Sequence, residues 1–395
     1  MSLTQKNRGS NREIGIVGGS VAGLFTAHLL ARAGSRVSVF EGAEDFNLKP
    51  RTLIVTSRMH EILGGIGKNA IVNEIRRFEL FTDGRAARIA LRQPDCVIER
   101  TRLIRELARS AQQSGAQILL GRRFVSMDQR KGALALQLQR SGDAAAEEAH
   151  VNTLVGADGA VSRVARVAGW PAQMTVPLVQ AIVRLPHGMP PDTTRVWFIP
   201  DDTPYFYWLI PDSPTRGVVG LIGEEGPETR RTLERFLERQ HLDPLEYQAA
   251  RIPVYSKWIP VRRQLIGGEV YLVGDAAGHV KVTTIGGIVT GLRGALGVTE
   301  AILNGGPGRR LRALRRELDL HLLIRRTIHS FNQGRYSHLI DLLNARTRTD
   351  LEAHTRDEPG GVLWRLCLHQ PRLLLFGIRA FLTGGGFSAR GCAGA

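Results

Sequence analysis

Apolar positions recur with two different periods along this chain of 395 residues. Ile14 to Val17 is a short apolar run; Leu24, Phe25, Ala27, Leu29, Leu30 and Ala31 follow at helical spacing, and Arg36 to Phe40 alternates before Glu41. The order predicts strand, glycine turn, helix, strand. Farther on, residues 97–107 open an amphipathic helix with Leu103, Leu107 and Ala111 on one face, and LVGADGAVSRVAR at 154–166 reads as strand, Asp-Gly turn and helix start. Between 174 and 262 the pattern changes to TRVWFIP, YFYWLIP and RGVVGLI, punctuated by Pro and Asp, which predicts an antiparallel sheet. Alternation buries one face and offers the other to a cavity, so Trp197, Tyr205, Tyr207, Trp208 and Trp258 are core or pocket; Trp197, Tyr207 and Trp208 are taken as pocket candidates.

From 307 to 331, Leu311, Leu314, Leu318, Leu322 and Ile328 fall near 3.6-residue spacing among arginines. That predicts a helix, either packed on the body or lying on anionic lipid. Helical patterns continue over 335–356 and 361–383, and a glycine-rich tail follows.

The stretch YLVGDAAGHVKVTTIGGIVTGL, residues 271–292, avoids bulk for a dozen residues after an apolar strand. An ordinary strand-to-helix joint needs one N-cap and one glycine. The low bulk predicts something flat or extended lying against this backbone.

Length supports two or three domains with a large core. The net charge of +16 rests on 47 arginines and six lysines, without basic segments interleaved with aromatics. Nucleic acid is therefore not expected as a partner, and an anionic substrate or membrane surface stays open. Cys96, Cys367 and Cys392 are odd in number and show no metal-ligand spacing, which suits free thiols in a reducing compartment and no metal. The polar N-terminus lacks a signal-peptide core, and no window reaches about 18 uninterrupted apolar residues. The reading is a soluble cytoplasmic protein, with peripheral membrane contact open.

The turn Gly18-Gly19-Ser20-Val21-Ala22-Gly23 carries chemistry. Gly18 permits the tight turn, small Ser20 lets backbone approach a pyrophosphate, and Gly23 lets the helix pack on the sheet. Glu41, about 20 residues on, stands where an acid accepts ribose hydroxyls. Together they predict a dinucleotide site.

Four ordered features carry a family resemblance: the glycine turn with Glu41, Arg100 at a helix start, Asp158-Gly159, and Gly274-Asp275. Over about residues 13–300 the chain resembles FAD-dependent oxidoreductases of the aromatic-hydroxylase and geranylgeranyl-reductase superfamily. The loop GDAAGHVKVTTIGGI is more similar to the reductase branch, with His279 in place of an aromatic and Val282 in place of proline. The resemblance implies an α/β fold: a doubly wound, Rossmann-like FAD domain over 13–173 and 263–305, an antiparallel roof over 174–262 joined by 75–95, and a helical region over 306–395. It implies Glu41 on the adenosine ribose, Arg51 reaching the cofactor, Arg100 near the pyrophosphate, Val125 beside adenine, Asp158 in the cofactor site and Asp275 on the ribityl chain. Gly286, Gly287 and Ile288, at the start of the next helix, would face the flavin.

The implied function is hydride or electron exchange between FAD and an apolar or aromatic small molecule, with NAD(P)H or a protein as candidate electron donor. His279 beside the flavin, with a near-neutral pKa, and Lys281 are the expected proton carriers. A monooxygenase is the rival reading. Flavin-dependent halogenation finds its needed lysine in no convincing setting at Lys49 or Lys68, and a non-catalytic FAD-stabilised partner protein is the remaining alternative.

Overall fold

The computed structural model describes residues 12–357 except 48, 141, 143–145, 307, 344, 353–355, and in addition 360–361, 375–376 and 379. The glycine-rich tail, most of the 361–383 pattern, Cys367 and Cys392 lie outside the described residues.

A six-stranded sheet runs in the order Arg262–Leu265, Gly268–Leu272, Thr153–Gly156, Glu13–Val17, Arg36–Phe40, Gln117–Leu119. All neighbours are parallel except the first pair. Helices Val21–Arg32, Arg100–Gln113 and Ile288–Asn304 pack together on it through Leu24, Leu103, Leu107 and Leu292. Gly15, out of phase with Ile14 and Ile16, admits Val151 and Leu136 of a three-stranded sheet, Arg122–Arg130, Ala133–Arg140 and Ala146–Val151. Five parallel strands with a Rossmann-type glycine turn make this a doubly wound α/β unit.

An eight-stranded sheet forms the second layer. Its order is Pro244–Pro253, Thr175–Arg184, Arg216–Ile222, Tyr207–Pro211, Thr193–Trp197, Ile71–Thr82, Arg85–Glu99, Thr52–Val55. Neighbours are antiparallel apart from Thr193–Trp197 with Ile71–Thr82. Residues 97–99, read from sequence as part of a helix, end the long strand instead; the helix begins at Arg100, capped by the Glu99 carboxylate, which accepts from the N–H groups of Thr101 and Arg102 at 2.7 and 3.0 Å.

Period-two alternation splits this sheet's aromatics between its faces. On one face Tyr207 stacks on Phe236 of helix Gly226–Arg239 at 3.9 Å, and Trp197 meets the same ring edge-on at 5.2 Å. Phe206, Trp208 and Ile210 take the other face. Helix Arg309–His329 buries Leu311, Leu314, Leu318, His321 and Arg325, and packs on Ile288–Asn304. Its apolar stripe is thus spent on the protein's own core. Among the described residues no helix is long and apolar enough to cross a membrane.

Candidate functional site

The first cavity, about 520 Å³, opens above the parallel strands and is lined by Gly18, Gly19, Ser20, Glu41, Arg100, Arg123 and Asp158 among others. Gly18 has φ +107°, and a Cβ there would stand 2.5 Å from the Ala157 carbonyl oxygen; a Cβ on Gly23 would stand 2.3 Å from the Gly18 oxygen. Both glycines are therefore required by the turn itself. Ser20 caps the helix, its Oγ accepting from Gly23 N–H at 3.2 Å. Glu41 at the cavity wall accepts from the N–H groups of Gly19 and Ala43 at 2.6 and 2.8 Å, which fixes its carboxylate. Asp158 accepts from Ser162 Oγ and from Arg163 and Val164 N–H at 2.5 to 3.0 Å, so it also caps the short helix Arg163–Val167. The wall at strand Arg122–Arg130 is made by Arg122, Arg123 and Phe124; Val125 is not part of it.

The second cavity, about 400 Å³, lies beneath the eight-stranded sheet. Phe78, Leu178, Val196, Phe206 and Trp208 form its apolar roof, strand Thr52–Val55 one wall, and loop 283–287 with the start of helix Ile288–Asn304 its floor. Of the three pocket candidates, only Trp208 lines it. Trp197 and Tyr207 correct the expectation: the odd–even alternation turns them to the helix-covered face, where the Tyr207 hydroxyl donates to Asp202 at 2.9 Å.

Arg51, Arg100 and Asp275 stand between the two cavities. Arg100 N–H donates to the Arg51 carbonyl at 2.9 Å, and a Cβ on Gly287 would lie 3.1 Å from Asp275 Oδ1. Burial, with Arg100 nearby, draws the Arg51 guanidinium down to about 10, against the pull of Asp275. Burial pushes the Asp275 carboxyl up, opposed by Arg100 and Arg51. Arg51 Nε is buried with no hydrogen-bond partner among the described residues. The Glu99 carboxylate accepts from Arg51 N–H at 3.3 Å, yet the Arg51 Nε stays an orphaned donor, and a buried guanidinium with a free donor suits an anion.

Glycines of the low-bulk loop and of the helix that follows it serve two different ends. Gly286 and Gly287 line the second cavity, while Gly294 and Gly297 are packing glycines: Cβ atoms there would stand 2.1 Å from His279 Nδ1 and 2.8 Å from Leu311 side-chain carbons. Ile285, in the cavity floor, holds φ +51°, a strained value for a β-branched residue.

His279 lines neither cavity. Its ring is fully buried over Gly294 and stacked on Trp258 at 5.6 Å, with neither ring nitrogen hydrogen-bonded among the described residues. Burial alone drives its pKa down to about 3. This corrects the near-neutral proton carrier expected beside the flavin: the imidazole fills the family's aromatic position as an apolar ring. Lys281 does line the cavity, 5% exposed, in a buried ion pair with Asp357, which also accepts from Thr56.

Two residues escaped the sequence reading. Arg356 pairs with Asp95 at the cavity wall, and Arg325 lines the cavity at 4% exposure. The signal for Arg325 was present: 311, 314, 318, 321 and 325 follow a 3-4-3-4 stripe, and an arginine in that register is buried by the helix that carries it.

A family model described as an FAD binding domain matches residues 11–304. The chain belongs to this FAD-binding family. No curated protein matches it significantly in sequence. Among solved structures it is similar to a geranylgeranyl bacteriochlorophyll reductase-like protein from Thermoplasma acidophilum, 17% identical over 93% of this chain and 99% of that one, with a TM-score of 0.77. Aklavinone-11 hydroxylase, solved with FAD and aklavinone, is 21% identical over 81% of this chain and 69% of its own, with a TM-score of 0.59. The p-nitrophenol 4-monooxygenase from Pseudomonas putida is 17% identical over 94% and 99%, with a TM-score of 0.61. At these identities the likeness is one of fold. FAD is the cofactor, the flavoprotein falls in the FAD-dependent oxidoreductase superfamily, and the α/β architecture is the one its sequence resembles. The orphaned donor of Arg51, with Arg100 nearby, fits this group, whose diphosphate carries negative charge.

Proposed function

We propose that the protein is an FAD-dependent reductase acting on an apolar small molecule held in the roofed cavity. The observation that carries this reading is the buried side chain of Lys281, paired with Asp357 and set in the wall of an otherwise mostly apolar cavity whose floor is the Gly286–Ile288 helix start. Bound FAD supplies two-electron redox chemistry, and the protein supplies orientation, dryness and protons.

Glu41 and the glycine turn would hold the adenosine end. Arg51 and Arg100 would meet the diphosphate, and Asp275 the ribityl hydroxyls. Trp208, Phe206 and Val196 exclude water from the substrate and present a flat apolar ceiling. Saturating a carbon–carbon double bond requires a hydride equivalent and a proton. Lys281 carries that proton on Nζ, with Asp357 and Thr56 fixing its position and bulk water restoring it afterwards.

Short prenyl alcohols, geraniol and farnesol, are suitable probes for a cavity of this size. With the FAD of purified protein chemically reduced under anoxia, farnesol should reoxidise it and gain hydrogen. Lys281→Met should slow that step by ~10²–10⁴-fold, the usual worth of proton transfer. Turnover that requires oxygen and yields a hydroxylated product would overturn the reading in favour of a monooxygenase.

A further inference from the structure

The wall of the roofed cavity holds five charged side chains or their direct partners. Lys281 pairs with Asp357 and Arg356 with Asp95. Arg325 has no carboxylate partner among the described residues. Its Nη2 donates to the Pro204 carbonyl at 2.7 Å and lies 3.2 Å from His329 Nδ1, its guanidinium sits 4.0 Å over the Tyr205 ring, and its Nε is buried without any hydrogen bond. Burial lowers its pKa, with Tyr205 and Tyr336 opposing. The helix could have placed a leucine at this point of its stripe, as it does at 311, 314 and 318.

A buried cation in an apolar wall is costly unless an anion joins it. Among the described residues Arg325 meets a carbonyl, a ring and an imidazole, but no carboxylate. The two other cations of the same wall are each paired with a carboxylate, so among the described residues the cavity is one negative charge short at Arg325, which lines it together with Tyr336.

We propose that Arg325 anchors the carboxylate of an apolar acid, so that the substrate is an amphipathic monoanion whose hydrocarbon part lies under Trp208 and Phe206. The planar guanidinium suits a carboxylate in a way a lysine would not. A ligand lying the other way round would leave its charge unpaired; Arg325 thus also sets the direction in which the substrate lies. This inference rests on the roofed cavity being the substrate site.

The test uses the purified FAD-bound protein, with decanoate and decan-1-ol as probes titrated calorimetrically. Decanoate should bind at least tenfold more tightly than decan-1-ol. Arg325→Met should abolish that preference while leaving decan-1-ol affinity and FAD content unchanged, and Arg325→Lys should restore part of it. Equal affinity for the two probes in the wild type overturns the anchor while leaving the cavity as the substrate site, and so does a preference that survives Arg325→Met. Binding of neither probe overturns the anchor as well, and farnesol turnover then separates the two readings: if it persists the reductase reading stands alone, and if it is also absent both fall.

Discussion

His279 shows how one residue type can carry opposite meanings in two settings. On sequence alone an imidazole in a cofactor loop is a proton carrier; in the fold it is an uncharged ring between Trp258 and Gly294. Because its folded pKa, about 3, lies below the ordinary 6.5, the unfolded chain binds more protons than the folded one throughout that window. Stability therefore rises with pH across it, and is lost as pH falls from 6.5 toward 3, by about 1.4 kcal/mol for each pH unit. His279→Phe cannot titrate. Its stability relative to the wild type should accordingly grow as the medium is acidified from neutrality to about pH 4.5, read by urea denaturation, while turnover at neutral pH stays within twofold of the wild type. A stability difference that is flat with pH, or a tenfold loss of turnover, would return the histidine to the proton path.

Elements were legible where their signal is local, and only half legible where it depends on what lies across the sheet. The strand, glycine turn and helix from Glu13 to Arg32 are recognised from their own residues, since Gly18 holds φ +107° and a Cβ on Gly23 would meet the Gly18 oxygen, even though distant Ala157 also crowds both. The strand Tyr207–Pro211 is different. Its alternation separates Tyr207 and Leu209 from Trp208 and Ile210, but only helix Gly226–Arg239, arriving on one side, decides which set lines a cavity. The stripe of helix Arg309–His329 likewise included Arg325, yet an arginine reads as surface until the sheet above it is placed. Helix Ile288–Asn304 offers a test at this scale. Gly294→Ala would set a Cβ 2.1 Å from His279 Nδ1, an overlap that should cost about 1–3 kcal/mol. Adding His279→Ala should recover much of that loss in thermal melting, because contacting residues couple. Additive losses would mean that the ring does not rest on this glycine.

At the scale of the whole molecule, two sheets of different construction meet along a seam, and the seam is where the chemistry gathers. The parallel sheet brings the glycine turn and Glu41; the roof brings Arg51, one residue ahead of strand Thr52–Val55, and Arg100, directly after strand Arg85–Glu99; the loop after Gly268–Leu272 brings Asp275 and Lys281. The cofactor family was legible because these motifs recur in order along the chain. The cavity was not, because its lining comes from short stretches scattered between Thr52 and Arg356, and Arg325 and Arg356 among them carry no motif. FAD is expected to cross this seam with its phosphates at the orphaned Arg51 guanidinium. The most direct measurement is the dissociation constant of FAD, compared with that of riboflavin, for wild type and Arg51→Met. Losing a charge-assisted hydrogen bond of about 1.5–3 kcal/mol should weaken FAD roughly 10- to 150-fold while leaving the phosphate-free riboflavin unchanged. An Arg51→Met protein that holds FAD as tightly as the wild type, or that loses riboflavin to the same degree, would contradict it.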